Sequence, residues 1–326
     1  TNYNIVWQSL INEITNDELV LSATCQRFNS VGTVEGTCDA ISQAPISDTT
    51  IAKKISIESG ITHKYTFTIL FKETNANQNY NQGKKFSGVL GIEEYKARNF
   101  ATDSWSTIIA NVKAGYGSEY KVGSTKEVNL GTTYGTHTLR VANTSTPSEC
   151  STSGFSQTAC GFVLEFADII TTHAMNNTDT NVGGWPASSM YTFVNNDIYN
   201  AIPNEIKNAI IDTTVVSSHG GEDTSNFTST DKLYLLAPKE IYTDWSNNYD
   251  TAKDLTRTLD YYTSIGVKTS NSLGAVKKNG SSASWWWSRA AHSTNRYNFY
   301  YVDYDGDWNF HSASSTHGVA PAFRIG

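Results

Sequence analysis

Short segments in which apolar and polar residues alternate dominate the first hundred residues. In residues 65–71, YTFTILF, positions 65, 67, 69 and 71 are all apolar, which is the period of two expected of a half-buried strand. Similar short runs occur at 19–23, 51–57 and 86–92. Because several short strands separated by turns are typical of a sandwich of two sheets, we predict an Ig-like β-sandwich over residues 1–100.

Helical spacing occurs further along the chain. Apolar residues recur at helical intervals over 190–202, with Ser188 before them as a cap and Pro203 after them as a stop signal. Shorter helices are predicted over 105–112, 204–211, 239–245 and 254–262, and strands over 120–130, 137–142 and 319–325. From residue 284 the chain is aromatic and rich in turn residues. This mixture predicts an α+β domain over residues 101–326.

Charge is sparse and its balance is negative. Charged residues make up 17% of the 326 residues against a usual ~25%, and the net charge is −7. A chain without a basic stripe is a poor nucleic-acid binder, so we expect no nucleic-acid partner. The chain contains 18 tyrosines, 13 phenylalanines and 8 tryptophans. This aromatic, weakly charged composition favours an extracellular recognition protein.

The four cysteines fall into two local pairs, Cys25 with Cys38 and Cys150 with Cys160. Without a CxxC or Cys/His cluster, two disulfides in an oxidising compartment are favoured over a zinc site, and four buried thiols remain the alternative. No apolar run reaches the ~18–20 residues that cross a bilayer. The chain begins at Thr1, so we expect that an N-terminal signal or anchor has been removed from an extracellular or surface-exposed protein.

Several segments after residue 105 resemble one group of bacterial and viral surface proteins. The clearest are WWSR at 286–289 and GVAPAFRIG at 318–326; YKVG at 120–123, GGWP at 183–186, DKLYLL at 231–236 and LDYY at 259–262 support them. They resemble the variable proteins of diversity-generating retroelements, which have a C-type-lectin-like fold similar to that of formylglycine-generating enzymes. The resemblance implies that residues 101–326 form such a domain. NQGKKFSG at 81–88 also looks like the N-terminal domain of these proteins.

Residues 288–318 have an unusual composition. Eighteen of these residues are Asn, Ser, Asp, His or Tyr, and Lys, Glu, Gln and Met do not occur. Those five types are Asn itself or its single-base neighbours, which is the result expected of adenine-directed mutagenesis of Asn-type codons. The segment therefore resembles the variable region of a retroelement target, and tyrosine, serine and asparagine are also the residues that antibody paratopes favour.

The interpretation divides the segment and its flanks into a ligand surface and a scaffold. We expect the variable ligand-binding residues to be Ala291, His292, Ser293, Asn295, Tyr297, Asn298, Tyr301, Asp303, Tyr304, Asp305, Asp307, Asn309, Phe310, His311, Ser312, Ser314, Ser315 and His317. We expect the scaffold residues to be Trp286, Arg289, Phe299, Val302, Gly306, Trp308 and Arg324, with Arg324 pairing with a buried carboxylate.

Other functions compete with this hypothesis. The alternating Asp303, Asp305 and Asp307 could bind calcium, but they lack the glutamate of an EF-hand loop, so we expect no metal and no cofactor. No GxSxG motif or cysteine after Cys160 points to catalysis, so we expect no enzyme. The alternative is a non-variable adhesin, virion protein or glycan-binding lectin of the same fold, or loops that are simply solvated turns. In either case we expect a monomer that binds an unknown protein or glycan on another cell or surface.

Overall fold

The computed structural model describes residues 1–47, 49–246 and 255–326, and these residues form two compact units, Thr1–Ala97 and Arg98–Gly326. Both helices and strands are present, and most of the sheets are small and antiparallel, as in the α+β class. No helix formed by the described residues has both the length and the apolar character needed to cross a membrane.

The N-terminal unit consists of antiparallel strands. They are β1 (Asn2–Asn12), β2 (Leu19–Phe28), β3 (Val34–Thr37), β4 (Ile41–Pro45), β5 (Thr50–Ser56), β6 (Thr62–Phe71) and β7 (Phe86–Glu94). One sheet has the order β5-β1-β7, and in the other β2 pairs with β3, β4 and β6. Trp7 of β1 shares a buried cluster with Leu19 and Leu21 of β2, so the two sheets pack face to face. The strands predicted from alternation are confirmed as parts of β2, β5, β6 and β7.

The C-terminal unit mixes short helices with further strands. Its strands are β8 (Thr125–Asn129), β9 (Thr136–Asn143), β10 (Val163–Phe166), β11 (Thr171–Ala174), β12 (Thr213–Ser217), β13 (Phe227–Asp231), β14 (Lys277–Asn279), β15 (Ser282–Ser284), β16 (Trp286–Ala291), β17 (Asn298–Val302), β18 (Trp308–Ser312), β19 (Thr316–Val319) and β20 (Ala322–Arg324). The two larger sheets have the orders β20-β10-β9-β8 and β11-β19-β16-β17-β18, in which only the β16–β19 pair is parallel among the described strands.

The α-helices of this unit are all short. They are α1 (Trp105–Lys113), α2 (Gly131–Tyr134), α3 (Gly184–Ala187), α4 (Ser189–Phe193), α5 (Tyr199–Ala201), α6 (Asn204–Lys207), α7 (Pro238–Ile241) and α8 (Asp260–Ser264). The predicted helix over 190–202 is confirmed as α4 and α5 joined by a π-helical turn, Val194–Ile198. The Ser188 hydroxyl caps it by accepting a hydrogen bond of 3.0 Å from the Tyr191 amide.

Two predictions from the local pattern were wrong. The helix predicted over 254–262 begins only at Asp260, and the first residue of that prediction, Asp254, lies outside the described residues. The aromatic stretch after residue 284, predicted to be turn-rich, contains β16, β17, β18 and β19. All six residues of β16 are buried, so this strand has no alternation to reveal it.

Both predicted disulfides are present, and they rule out the alternative of four free thiols. Cys25 is bonded to Cys38 in the N-terminal unit, and Cys150 is bonded to Cys160 in the C-terminal unit. Structural disulfides persist in oxidising compartments, so this pair of bonds favours an extracellular protein.

Candidate functional site

Strand β16 is buried, and it overlaps the start of residues 288–318, the segment of unusual composition. Trp286 and Trp287 of β16 are fully buried, and each indole is held by a backbone carbonyl. Trp286 Nε1 donates to Ala275 O at 3.1 Å, and Trp287 Nε1 donates to His173 O at 3.0 Å. Because a buried indole N–H needs a partner, these two bonds fix the orientation of both rings.

Arg289, on the same strand, forms a buried ion pair. Its Nη1 and Nη2 atoms donate to the two carboxylate oxygens of Glu240 at 2.6 and 2.7 Å, and neither side chain is accessible to solvent. Glu240 also accepts hydrogen bonds from the Ala237 amide and from the hydroxyls of Thr158 and Thr256. The bidentate geometry and the additional donors compensate for the desolvation of the two charges.

The expectation that Arg324 pairs with a buried carboxylate was wrong. No carboxylate of a described residue lies within ion-pair distance of Arg324, whose pKa is lowered by burial. Arg289 makes that pair instead, because Glu240 at the start of the short helix α7 faces β16. Arg324 lies on β20, where backbone pairing with Val163 of β10 holds it in place.

Residues 298–312 of the segment form a hairpin on the edge of the five-stranded sheet. β17 pairs with β18 from Asn298 opposite Ser312 to Val302 opposite Trp308. In the turn between them, Asp303 Oδ1 accepts hydrogen bonds from the amides of Asp305 and Asp307 at 3.2 and 3.0 Å. These bonds make the three aspartates a local turn.

Gly306 in this turn cannot be replaced without a shift of the backbone. Its φ is +92°, and a Cβ placed there would lie 2.1 Å from the carbonyl oxygen of Ser272. The Gly306 carbonyl also accepts a hydrogen bond of 2.6 Å from the buried Tyr242 hydroxyl. The hairpin tip is therefore attached to the rest of the unit at Gly306, and the Ser272 hydroxyl adds a hydrogen bond of 2.5 Å to Asp307 Oδ1.

Asn181 holds the loop that precedes the hairpin, and sequence reasoning missed it. Its buried Nδ2 lies within hydrogen-bond distance of the carbonyl oxygens of His292, Asn295 and Asn298, at 3.2, 2.6 and 2.9 Å. These carbonyls are more than a hundred residues away from Asn181 in the sequence, so no local pattern could have indicated the contact.

The structure divides the proposed ligand-binding residues by exposure. Eight are exposed, namely Tyr297, Tyr304, Asp305, Asp307, Asn309, Phe310, His311 and Ser314. Five are partly exposed, namely Asn295, Asn298, Asp303, Ser312 and Ser315. The remaining five are buried, namely Ala291, His292, Ser293, Tyr301 and His317, and of these His317 lines the cleft described below.

The buried members belong to the core for identifiable reasons. Ala291 ends the wholly buried strand β16, and His292 stacks on Tyr300 with ring centroids 5.5 Å apart. Tyr301 and His317 pack ring against ring at 5.1 Å. Composition alone placed these residues in the surface set, because buried and exposed aromatic residues are of the same types.

A cleft opens beside this aromatic cluster. It has a volume of about 380 Å³ and is lined by side chains that include Trp285, Tyr304, His317 and Thr172. Trp285 was not among the predicted residues, although it belongs to the run Trp285–Trp287 that the sequence shows. Its ring contacts those of Tyr301, His311 and His317 at 5.2–6.2 Å.

Two titratable groups of residues 288–318 have shifted pKa values, and one of them, His317, lines the cleft. Burial, together with the neighbouring His311, lowers the pKa of His317 to about 4, so the imidazole is neutral at pH 7. Burial and the adjacent Asp305 raise the pKa of Asp303 to about 6. The cleft thus combines aromatic rings with a neutral imidazole, which suits noncovalent binding of a polar ligand.

One group of metal-binding residue types occurs among the described residues, formed by Cys25, Cys38 and His63 in the N-terminal unit. The two cysteines are joined in a disulfide, so neither sulfur is a thiolate that could ligate a metal.

The sequence model of one protein family matches the chain over residues 162–326, slightly more than half its length. The chain belongs to the DUF6273 family. This family is described as a domain of unknown function. The matched DUF6273 region contains the buried strand β16, the hairpin and the cleft. No curated protein and no solved structure matches the chain.

Proposed function

We propose that this protein is an extracellular ligand-binding protein whose C-terminal unit is a C-type-lectin-like domain. The observation that carries the proposal is the contrast between a buried frame and an exposed hairpin. Trp286, Trp287 and Arg289 are fully buried in β16, which pairs with the hairpin strand β17, whereas Tyr304 is 57% exposed and Phe310 is 39% exposed. A rigid support with large exposed aromatic residues is the arrangement that binding surfaces use.

The binding surface consists of the exposed and partly exposed members of the predicted set, together with Trp285 at the cleft. Aromatic side chains give large contact areas at a low entropic cost, and asparagine and serine add adaptable hydrogen bonds. Four of the buried candidates, Ala291, His292, Ser293 and Tyr301, contribute to the support instead, and the fifth, His317, lines the cleft. Binding is noncovalent and requires no cofactor, because the side chains act only through contact and hydrogen bonding.

A retroelement diversifies this surface in our proposal. The exposed positions carry mainly the residue types that adenine-directed mutation of asparagine codons produces, and they lie where substitution leaves the core unchanged. The N-terminal unit is an Ig-like spacer between the binding unit and a cell or virion surface. The two disulfides support an extracellular location of this kind.

Sequencing the 3′ end of the gene in many sibling strains tests this proposal. We expect Tyr297 and Tyr304 to vary through changes at adenines while the buried Tyr300 stays constant, because Tyr300 provides a control of the same residue type in the same segment. A near-copy of the segment beside a reverse-transcriptase gene should accompany the variation. An invariant segment without such a template would contradict the retroelement and leave a fixed adhesin.

The cleft favours a glycan-binding lectin as the second candidate. Trp285 and Tyr304 line a cleft of about 380 Å³, and aromatic rings of this kind can stack on the apolar face of a sugar. Titration calorimetry against a glycan panel, with calcium and then with EDTA, distinguishes a calcium-dependent lectin from a surface that binds proteins. Binding lost in EDTA would support the lectin, whereas no heat with any glycan would contradict it.

A further inference from the structure

Strand β7 leaves one side of the N-terminal unit without a strand partner among the described residues. It forms the edge of the sheet β5-β1-β7 and pairs with β1 alone. Its apolar residues Val89, Leu90 and Ile92 are 58%, 41% and 75% exposed. An apolar edge strand of this length is a template for pairing with another strand unless something covers it.

The hydrogen bonds to β1 determine which backbone groups of β7 face outward. Lys85 O accepts from the Glu13 amide at 2.9 Å, and the Tyr95 amide donates to Asn2 O at 3.0 Å. Lys85 and Tyr95, the residues on the β7 side of these bonds, are both odd-numbered. Because the direction of the backbone N–H and C=O groups alternates along a strand, the odd-numbered residues of β7 direct these groups towards β1. The even residues from Phe86 to Glu94 therefore present their N–H and C=O groups to the open edge.

This alternation restricts how a second copy of β7 can pair with the first. In an antiparallel pair the outward-facing residues must lie opposite each other, so even residues pair with even and odd with odd. The register that places Val89 on the twofold axis satisfies this rule. It pairs Phe86 with Ile92, an apolar pair across the interface, and places Gly88 opposite Leu90.

The same register matches the charges at both ends of the strand. It places Lys84 opposite Glu94 and Lys85 opposite Glu93, once on each side of the axis. All four side chains are exposed, and none belongs to an ion pair formed among the described residues. Centring the pair on Leu90 instead would set Lys84 against Lys96 and Phe86 against Glu94.

We propose that two copies of this protein associate through β7, antiparallel and centred on Val89, to form one continuous sheet across the dimer. The interface is self-complementary, as a twofold dimer requires, because each copy supplies the basic start and the acidic end of the same strand. Opposite charges that face each other stabilise cross-strand pairs, and like charges destabilise them. This proposal replaces the expectation of a monomer and does not depend on what the C-terminal unit binds.

Analytical ultracentrifugation of the full chain with two charge-reversed variants tests the proposal. We expect the wild-type protein to approach twice its 35.8 kDa mass as its concentration rises through the micromolar range. The variant Lys84→Glu/Lys85→Glu and the variant Glu93→Lys/Glu94→Lys should each sediment as monomers, because each places like charges opposite each other. Mixed in equal amounts, the two variants should form a heterodimer.

The control Lys64→Glu/Lys72→Glu makes the same change of charge on the second sheet, on its strand β6 and directly after it, and should dimerise like the wild type. Unchanged thermal unfolding confirms that each variant is folded. A wild type that stays monomeric at every concentration would overturn the proposal. Dimers formed by either β7 variant alone, or a mixture of the two variants that does not associate, would also overturn it. Dissociation of the dimer by the control substitutions would overturn it as well, because it would assign the contact to β6.

Discussion

At the scale of single residues, Arg289 forms a buried ion pair in the core of the C-terminal unit. It is fully buried, and its charge is balanced by Glu240 at 2.6 Å. Replacement by methionine keeps most of the side-chain volume but leaves the carboxylate of Glu240 without its counter-charge. Removing one partner of a buried pair costs about 3–5 kcal/mol, because the remaining charge stays desolvated.

We therefore expect Arg289→Met to lower the free energy of unfolding by about that amount, measured by urea denaturation. Arg296→Met is the matched control, because Arg296 pairs with Glu222 at 3.1 Å at the surface, where a pair contributes about 1 kcal/mol or less. Equal losses in the two variants would show that the buried pair has no special role.

His317 gives the protein a predictable response to acid. Its folded pKa of about 4 is below the ~6.5 of an unfolded histidine, so the folded state binds the proton more weakly. Its contribution to stability is complete above pH ~6.5 and is lost as the pH falls through 4. Asp303, whose pKa is raised to about 6, acts in the opposite direction, so stability due to its protonation is lost as the pH rises.

Thermal unfolding of His317→Phe against wild type isolates the histidine. We expect the variant to lose less of its Tm between pH 7 and pH 4, because phenylalanine keeps the ring contact with Trp287 without a protonation equilibrium. His219→Asn serves as a control in which the wild-type pH dependence should persist. An unchanged slope in His317→Phe would contradict the assignment.

At the scale of elements, mutations in the hairpin β17–β18 and in the neighbouring strand β16 should change the stability of the protein to different extents. Trp286→Ala removes a fully buried indole and its hydrogen bond, and such truncations cost about 3–5 kcal/mol. Tyr304→Ala and His311→Ala remove exposed side chains, so we expect their Tm values to remain within a few degrees of wild type. Differential scanning calorimetry measures the Tm of all three variants. A large loss of Tm in both hairpin variants would contradict the distinction between a buried support and an exposed binding surface.

Elements were predictable from the sequence where one face is exposed. β6 was evident from alternation because its inward and outward positions differ in polarity, whereas β16 is buried on both faces and carries no such signal. The position of the site along the chain was predictable, but which of its residues are exposed and which are buried was not. Tyr300 and Tyr304 are the same residue type four positions apart, but Tyr300 packs against Trp245 and Trp308, whereas Tyr304 lies exposed in the turn after β17.

At the scale of the whole molecule, contacts between distant segments were beyond sequence reasoning. The choice of Arg289 rather than Arg324 as the partner of a buried carboxylate depends on α7 facing β16. Likewise, the contact of Asn181 with residues 292–298 requires the tertiary fold. The disulfides were predictable because each bond joins cysteines that are close in sequence.

The pairing of β20 with β10 and of β19 with β11 determines when the C-terminal unit can complete its fold during translation. All strand pairs of the N-terminal unit lie within its own 97 residues, so this unit can complete its sheets early. The C-terminal unit cannot complete its sheets until residues 316–324 have emerged from the ribosome. Until then, β10 has only β9 beside it and lacks β20, so we expect its apolar residues to be less protected in the nascent chain than in the folded protein.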